Sequence, residues 1–195
     1  MSMLFAKKKR VAIYFDGNNT YNKLKTLGLP EKTKRFDFSS FAAHLLGDRE
    51  LISKRYYIGI VKNHDGSEKG EARVKGQQKF LDGLRAGGFD VKPGRIMYDE
   101  SRIREKGVDV KLAVDLVIGA ADNLYDVAII VSSDTDLIPA IKYVKTGKKK
   151  MVEYIGFAGM PSIGLVKETN TQRLFSKEDL VRFQIDKPSL SSEIK

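Results

Sequence analysis

The strongest indication of the fold comes from residues 127–136, whose sequence is Val127-Ala128-Ile129-Ile130-Val131-Ser132-Ser133-Asp134-Thr135-Asp136. Their first five residues are apolar and four of these are β-branched, which predicts a strand buried on both faces. A polar segment with two aspartates follows, and residues 137–145 then predict a helix. A buried strand that leads through a polar loop into a helix is the unit from which parallel α/β sheets are built.

The same alternation of strand and helix extends along most of the chain. Strands are predicted at residues 11–15, 56–61 and 151–157, helices at residues 37–46, 71–86 and 108–121, an extended stretch at residues 89–98, and a helix start at residues 176–179. This order predicts an α/β fold of the Rossmann-like, three-layer sandwich type, with a mainly parallel central sheet and helices on both faces.

At 195 residues the chain has the length of one domain. We expect a basic N-terminal arm at residues 1–10, a single folded domain at residues 11–185, and a disordered tail at residues 186–195. The sequence contains no internal repeat and no stretch with the composition of an interdomain linker.

Cysteine is absent and there are two histidines, which excludes disulfides, a thiolate nucleophile and cysteine-based zinc sites. No apolar run approaches the ~20 residues that span a bilayer. In residues 1–10 the apolar side chains precede the basic ones, the wrong order for a secretory signal. We therefore expect a cytoplasmic protein with no membrane partner and no disulfide-linked partner. The sequence is compatible with a homodimer.

The chain is strongly basic, with 35 lysines and arginines against 25 acidic residues and a net charge of +10. Such an excess attracts polyanions, nucleic acids above all. It fits a merely soluble basic protein equally well. The placement of the aspartates is what separates these two interpretations.

Aspartates follow two of the predicted strands. Asp16 ends the first strand, which leads into a predicted polar loop at residues 16–19, and Asp134 and Asp136 follow the strand at residues 127–131. Parallel α/β sheets bind ligands just beyond the carboxyl ends of their strands, so all three aspartates are expected at one edge of the sheet.

The apolar helix at residues 108–121 carries two more aspartates. Asp109 lies at its start, after Gly107, where the helix N-terminus stabilises a carboxylate. Asp115 is six positions further along, which turns it to a different face of the helix. Asp115 reaches the same edge only if Asp109 belongs to the preceding loop.

Each aspartate also has an ordinary structural role. Asp134 or Asp136 can cap the following helix, which is the commoner role of an aspartate after a strand. Asp16 before Gly17 can be a turn residue, and Asp115 can pair with a lysine on its own helix. One cap per helix start nevertheless leaves the second acid of residues 134–136 unexplained.

Several carboxylates gathered at one edge repel each other unless a cation neutralises them. Ligand sets made only of oxygen suit hard divalent ions, Mg²⁺ or Mn²⁺. Such ions promote the cleavage of phosphate esters by activating water and stabilising the leaving oxygen. The pattern therefore predicts a Mg²⁺ or Mn²⁺ site that acts on phosphodiesters.

Three motifs occur in order along the chain: IYFDGNN at residues 13–19, KGVDVKLAVD at residues 106–115, and IVSSDTDL at residues 130–137. With these motifs the chain resembles an NYN domain, a PIN-like nuclease fold, in its bacterial LabA-like branch. The motifs and their intervals span nearly the whole chain. There are two small departures: Ser133 stands where the family usually has glycine, and Leu137 where it often has phenylalanine.

The resemblance implies a metal-dependent ribonuclease with an acidic pocket, acting on RNA. By position it assigns the catalytic, metal-binding acids to Asp16, Asp109, Asp134 and Asp136, a further metal ligand to Asp115, and an asparagine near the pocket to Asn19. We expect no accessory RNA-binding domain in these residues, so the choice of substrate is expected to fall to this domain or to a partner.

Other polar groups are candidates for contacts with the substrate. Arg102, Arg104 and Lys106 lie just before Asp109 and can grip backbone phosphates, although a solvated loop lysine is the simpler role for Lys106. Thr135 can touch a phosphate or start a helix. Ser132 is expected to be structural.

Two further groups are given structural roles. Residues 148–150, three lysines, are expected as a solvated turn at the opposite strand ends. Tyr56, Tyr57 and Tyr98 are expected in or near the core rather than stacked on bases.

Three other functions compete with a ribonuclease. A PIN-like module that binds RNA with weak or no cleavage is supported by Ser133, whose extra Cβ narrows the approach of a phosphate. A nucleotide-sugar transferase would use residues 134–136 as its metal clamp but leaves Asp16 and Asp109 without a role. A phosphatase with Asp16 as nucleophile lacks its usual second acid, because Asn18 stands there.

Overall fold

A parallel sheet of six strands forms the centre of the molecule, in a computed structural model that describes residues 7–63, 66–99 and 102–186, with side chains described outside residues 95–106. The described residues form ten strands in all, six of them in this sheet. They are β1 Arg10–Asp16, β2 Lys34–Phe36, β3 Glu50–Ile58, β4 Asp90–Pro93, β5 Arg95–Asp99, β6 Arg102–Lys106, β7 Val127–Val131, β8 Met151–Phe157, β9 Thr171–Phe175 and β10 Gln184–Asp186. The order in the sheet is β4-β3-β1-β7-β8-β9. β2 pairs with β10, and β5 with β6, as separate antiparallel pairs.

Helices cover both faces of this sheet. They are α1 Gly17–Thr26, α2 Phe38–Leu46, α3 Glu68–Ala86, α4 Val108–Ala121, α5 Ile138–Lys142, α6 Ile163–Glu168 and α7 Lys177–Val181. The apolar side chains of α2, α3 and α7 join the core on one face, and those of α4, α5 and α6 join the core on the other. The predicted α/β, three-layer fold is confirmed.

The order of the strands creates a switch point between β1 and β7. After β1 the chain adds β3 and β4 on one side, then crosses back through α4 to add β7, β8 and β9 on the other side. Phe15 of β1 is paired with Val131 of β7, so the residues that follow these two strands leave the sheet next to each other. In open parallel sheets, such a point is where ligands bind.

Several predicted elements agree closely with the structure. The helix at residues 108–121 and the strands at 127–131 and 151–157 have the predicted bounds. Ser176 begins α7 with a capping box, in which its hydroxyl and the carboxylate of Asp179 each accept from a backbone N–H of the other residue.

One expectation was wrong, and in another the predicted helix is present but differs in type. The polar segment after Asp16 was predicted as a loop, but it forms α1, because Asp16 caps the helix and Thr20 and Leu24 are buried beneath it. The predicted helix at residues 137–145 is a 3-10 turn at Thr135–Leu137, then α5, then a single π turn at Tyr143–Gly147.

The ends of the chain lie largely outside the described residues, namely 1–6 and 187–195. Arg10, predicted as the last residue of the basic arm, is the first residue of β1. Among the residues that the structure describes, no helix combines the length and the apolar character that crossing a bilayer requires.

Arg10 fixes the start of β1 to the residue that precedes β7. Its backbone N–H and its guanidinium both donate to the Asp126 carboxylate, each at 2.9 Å. These hydrogen bonds lower the pKa of Asp126 to about 2, from a usual value of 3.8. A depressed pKa of the folded state means that the interaction stabilises the protein above pH ~4 and is lost as the pH falls towards 2.

Asp126→Asn is expected to lower the thermal midpoint by roughly 2–4 °C at pH 7. The difference in thermal midpoint between variant and wild type should shrink as the pH is lowered from about 4 to 2, because the wild-type carboxyl group then also loses its charge. Thermal unfolding followed by circular dichroism across this pH range measures the effect. Asp48→Asn, at an exposed aspartate, is the control; an equal shift in both variants would contradict the assignment.

Candidate metal centre

Asp16 and Ser132 are joined directly at the switch point. Asp16 is the last residue of β1, and Ser132 is the first residue after β7. The Ser132 hydroxyl donates to Asp16 Oδ2 at 2.8 Å. The other carboxylate oxygen of Asp16 accepts from the backbone N–H of Asn19 at 3.1 Å, which caps α1. Ser132 Oγ in turn accepts from the backbone N–H of Asp134 at 3.1 Å. The chain of contacts therefore ties the end of β1 to the aspartates after β7.

Asp16 is buried, with 8% of its surface exposed. Burial raises its pKa, the hydrogen bonds from Asn19 and Ser132 oppose that rise, and the negative charges of Asp134 and Asp109 add to it. The influence of these two charges shows that Asp16 lies in the negative field of the neighbouring aspartates.

Asp109, Asp134 and Asp136 converge. One carboxylate oxygen from each lies within 4.8 Å of the others. Asp109 comes from the first turn of α4, and Asp134 and Asp136 come from the loop and the 3-10 turn after β7. The first two are partly buried and Asp136 is exposed. We call Asp109, Asp134 and Asp136 the acidic triad.

Asp134 combines two roles that the sequence presented as alternatives. Its Oδ1 accepts from the backbone N–H of Asp136 at 2.9 Å and so caps the 3-10 turn. The same side chain belongs to the acidic triad. Capping therefore accounts for one oxygen of one aspartate and leaves the convergence of three carboxylates unexplained.

The donor set of the acidic triad suits a divalent cation. Among the side chains that the structure describes, no lysine or arginine forms an ion pair with Asp109, Asp134 or Asp136. Three carboxylates within one ion's reach, supplied by the start of α4 and by the segment after β7, match the oxygen ligands of Mg²⁺ and Mn²⁺. Asp16 adds a fourth negative charge beside them.

Asn19 is a positioning contact for the loop that carries the triad. Its Oδ1 accepts from the backbone N–H of Ser133 at 2.9 Å, so it links α1 to that loop. Ser133 Oγ lies 3.4 Å from the Tyr154 hydroxyl. Thr135 is exposed on the 3-10 turn, beside the start of α6, where its methyl group would contact a Cβ added at Gly164.

The structure does not bring Asp115 into the acidic triad. Its Oδ2 accepts from the Tyr57 hydroxyl at 2.8 Å and lies 3.5 Å from the Arg55 guanidinium. Because Asp109 belongs to the first turn of α4, the six-residue interval turns Asp115 to another side of the helix. Asp115 therefore connects α4 to β3.

The remaining candidates fall into two groups. Arg102, Arg104 and Lys106 lie on β6, directly before α4, and their side chains are outside the described residues. Residues 148–150 lie at the opposite edge of the sheet, as expected, where Lys150 contacts Asn123 and Asp126.

Tyr56 and Tyr57 are buried in the core, as expected. The side chain of Tyr98 lies outside the described residues.

Gly17 is a residue that the sequence reasoning missed. A Cβ on Gly17 would lie 2.4 Å from a ring carbon of Tyr56 and 2.6 Å from the backbone oxygen of Tyr57. The end of β1 therefore packs against β3 at a distance that only glycine allows. Its position directly after Asp16 was the available signal, but the sequence did not distinguish a close contact from an ordinary turn.

The protein is of the α/β class, with a three-layer fold and carboxylates at the switch point of its sheet. The chain belongs to the NYN domain family, whose sequence pattern matches residues 10–176. Membership of this family confirms the predicted resemblance to an NYN domain and carries a PIN-like nuclease fold.

Among solved structures, the chain is similar to a protein of unknown function from Vibrio parahaemolyticus. The two sequences are 21% identical, the match covers 94% of this chain and 100% of the other, and the TM-score is 0.69. At this identity the likeness concerns the fold alone. No significant match is found among curated proteins.

Gly17→Ala is expected to destabilise the protein by roughly 1–3 kcal/mol, because the added methyl group forces the end of β1 away from β3. Gly76→Ala, at an exposed position of α3 with open space around it, is the matched control. It should leave stability unchanged or raise it by about 0.5–1 kcal/mol. Urea denaturation compares the two; equal stability of both variants would show that the close contact at Gly17 has no energetic role.

Proposed function

We propose that the protein is a Mg²⁺- or Mn²⁺-dependent endoribonuclease that hydrolyses single-stranded RNA, in the LabA-like branch of the NYN family. One observation carries the proposal: three carboxylates from two distant segments meet within 4.8 Å at the switch point of a PIN-like nuclease fold. Like charges converge in this way at sites that hold a cation.

The acidic triad supplies the metal ligands in this proposal. When bound, the divalent ion supplies Lewis-acid chemistry, which activates water and neutralises charge that develops on the phosphate. Asp109, Asp134 and Asp136 each direct one oxygen into the site. Asp16, which the resemblance assigns as a further metal ligand, is not among the three converging carboxylates. Its proposed place is the buried wall of the site, as a catalytic carboxylate whose orientation is fixed by Ser132 and Asn19.

Asp115 takes a positioning role in this proposal instead of a ligand's. Its contacts with Tyr57 and Arg55 hold α4 against β3. Because Asp109 lies on the same helix, the contacts of Asp115 also set where the Asp109 carboxylate lies.

RNA is the proposed partner because it combines phosphodiesters with the charge that this chain attracts. The triad repels a polyanion until a cation is bound, and the net charge of +10 supplies the long-range attraction. Asn19 and Thr135 flank the triad. Arg102, Arg104 and Lys106 precede Asp109 in the chain and are proposed to hold the RNA backbone.

The alternatives are less well supported. A transferase that uses Asp134 and Asp136 alone leaves the convergence of Asp109 without purpose. An RNA-binding module without cleavage rested on Ser133, whose hydroxyl lies near Tyr154 and whose N–H is bound by Asn19. No contact in the described residues indicates that the triad has lost its function.

Asp134→Asn is expected to lower the rate of RNA cleavage by at least about 100-fold, because it removes a charged ligand while keeping a capping oxygen for the 3-10 turn. The measurement uses labelled single-stranded RNA in Mn²⁺, with excess chelator as a second test. Asp48→Asn, an exposed aspartate near the opposite edge of the sheet, should cleave at the wild-type rate. Wild-type cleavage by Asp134→Asn, or cleavage in chelator, would exclude the proposal, and RNA bound with no product would favour the non-catalytic module.

Asp136→Asn tests metal binding by thermal unfolding, without a cleavage assay. In chelator it is expected to raise the thermal midpoint by roughly 1–3 °C, since it removes one charge from a repulsive group. Added Mn²⁺ should raise the midpoint of the wild type, which binds the ion in its folded state, and should raise that of the variant much less. If Mn²⁺ shifts both proteins equally, the ion binds elsewhere.

A further inference from the structure

The outer face of α4 is apolar and exposed. Val110, Val114 and Ile118 follow one another at intervals of four residues and are 60%, 48% and 49% exposed. They lie opposite Leu112 and Leu116, which pack against the sheet. A helix that is apolar on both sides is normally covered on both sides. We call Val110, Val114 and Ile118 the α4 stripe.

The charged residues of α4 do not interrupt this stripe. Asp109 belongs to the acidic triad, and Asp115 contacts Arg55 and Tyr57. Lys111 lies beside the stripe, and its ammonium group is 3.5 Å from the backbone oxygen of Pro93.

Lys111 and Asp122 form a charge pattern along one side of the stripe. They are eleven residues apart, about three helical turns, so they lie on the same side of α4. Lys111 is near the positive, N-terminal end of the helix, and Asp122 caps the negative, C-terminal end. Each charge is therefore at the end of the helix dipole that disfavours it. Asp122 forms no ion pair with any side chain that the structure describes.

An antiparallel copy of α4 complements this pattern. A twofold axis that lies between the two helices, perpendicular to both, keeps the same side of each stripe together while it reverses the direction of the helix. Lys111 then faces Asp122 of the partner subunit, twice by symmetry, and Val114 packs against Ile118 of the partner subunit. A parallel arrangement would place Lys111 opposite the other side of the stripe.

We propose that the α4 stripe is the interface of a homodimer in which two copies of α4 pack antiparallel. The contact leaves the acidic triad open, since Asp109 lies on the opposite side of the helix from Val114. The proposal concerns a surface separate from the proposed nuclease site and does not depend on it.

The dimer is expected to be weak. α4 has 14 residues and is about 21 Å long at ~1.5 Å per residue, so one helix pair falls below the standard interface of ~1,600 Å². We expect a dissociation constant of roughly 1–100 µM. Sedimentation velocity between about 1 and 300 µM protein covers that range.

Val114→Lys should abolish the concentration-dependent association, because it buries an unpaired charge at the centre of the stripe. Val181→Lys is the matched control: Val181 is 39% exposed on α7, on the other face of the sheet. Association that Val181→Lys removes as strongly as Val114→Lys would overturn the proposal. A protein that stays monomeric at every concentration would also overturn the proposal, even if it bound phosphatidylglycerol vesicles through Val114.

A charge swap tests the antiparallel register. Lys111→Glu and Asp122→Lys are each expected to weaken the dimer at least threefold, and the double variant to restore wild-type affinity. Asp122→Lys is favourable for an isolated helix, since it places a positive charge at the end of the dipole that prefers it. Lys111→Glu also gains from the dipole, but it places a like charge one turn from Asp115. Loss of association in Asp122→Lys therefore cannot come from a weakened helix, and failure of the double variant to recover would overturn the register and with it the proposal.

Discussion

Mutual repulsion among carboxylates is the constraint on which the proposed site depends. Two unit charges about 5 Å apart near a protein surface repel by roughly 1–3 kcal/mol per pair. The fold places three carboxylates at that separation and buries Asp16 beside them. These carboxylates lie at the switch point between β1 and β7, where the crossover through α4 reverses the direction in which strands are added.

The surroundings hold the acidic groups in place instead of relieving the repulsion. Asp16 is fixed by Ser132 and by the first turn of α1, and the triad's loop is fixed by Asn19. On the other side of β1, Gly17 packs directly against the Tyr56 ring and the backbone of Tyr57. Hydrogen bonds stabilise the charged form of a carboxylate, so the contacts from Asn19 and Ser132 oppose the rise in the pKa of Asp16 that its burial causes.

The sequence predicted most of the fold where local composition and burial agree. The helix at residues 108–121 is mostly apolar and the strand at 127–131 is apolar throughout, so periodicity and length identify them. α1 was missed because its sequence is polar, and it depends on a cap and on burial of Thr20 and Leu24 by distant residues. The β2–β10 pair joins segments about 150 residues apart, which no local pattern reveals.

The same contrast applies to the site. Strand ends place Asp16, Asp134 and Asp136 at one edge by topology alone, and the start of α4 adds Asp109. The destination of Asp115 depended on whether the helix begins before or after Asp109, a difference of one or two residues that sequence patterns do not resolve. The contacts of Ser132 and Asn19 are set by side-chain geometry across β1 and β7, beyond the reach of strand and helix prediction.

The most direct test of the site is the anomalous scattering of manganese in crystals of the protein soaked in Mn²⁺. We expect a peak enclosed by the carboxylates of Asp109, Asp134 and Asp136, within about 2.0–2.6 Å of an oxygen of each, the range of divalent cations bound by oxygen. A Mn²⁺ peak at other carboxylates, with none among these three, would contradict it.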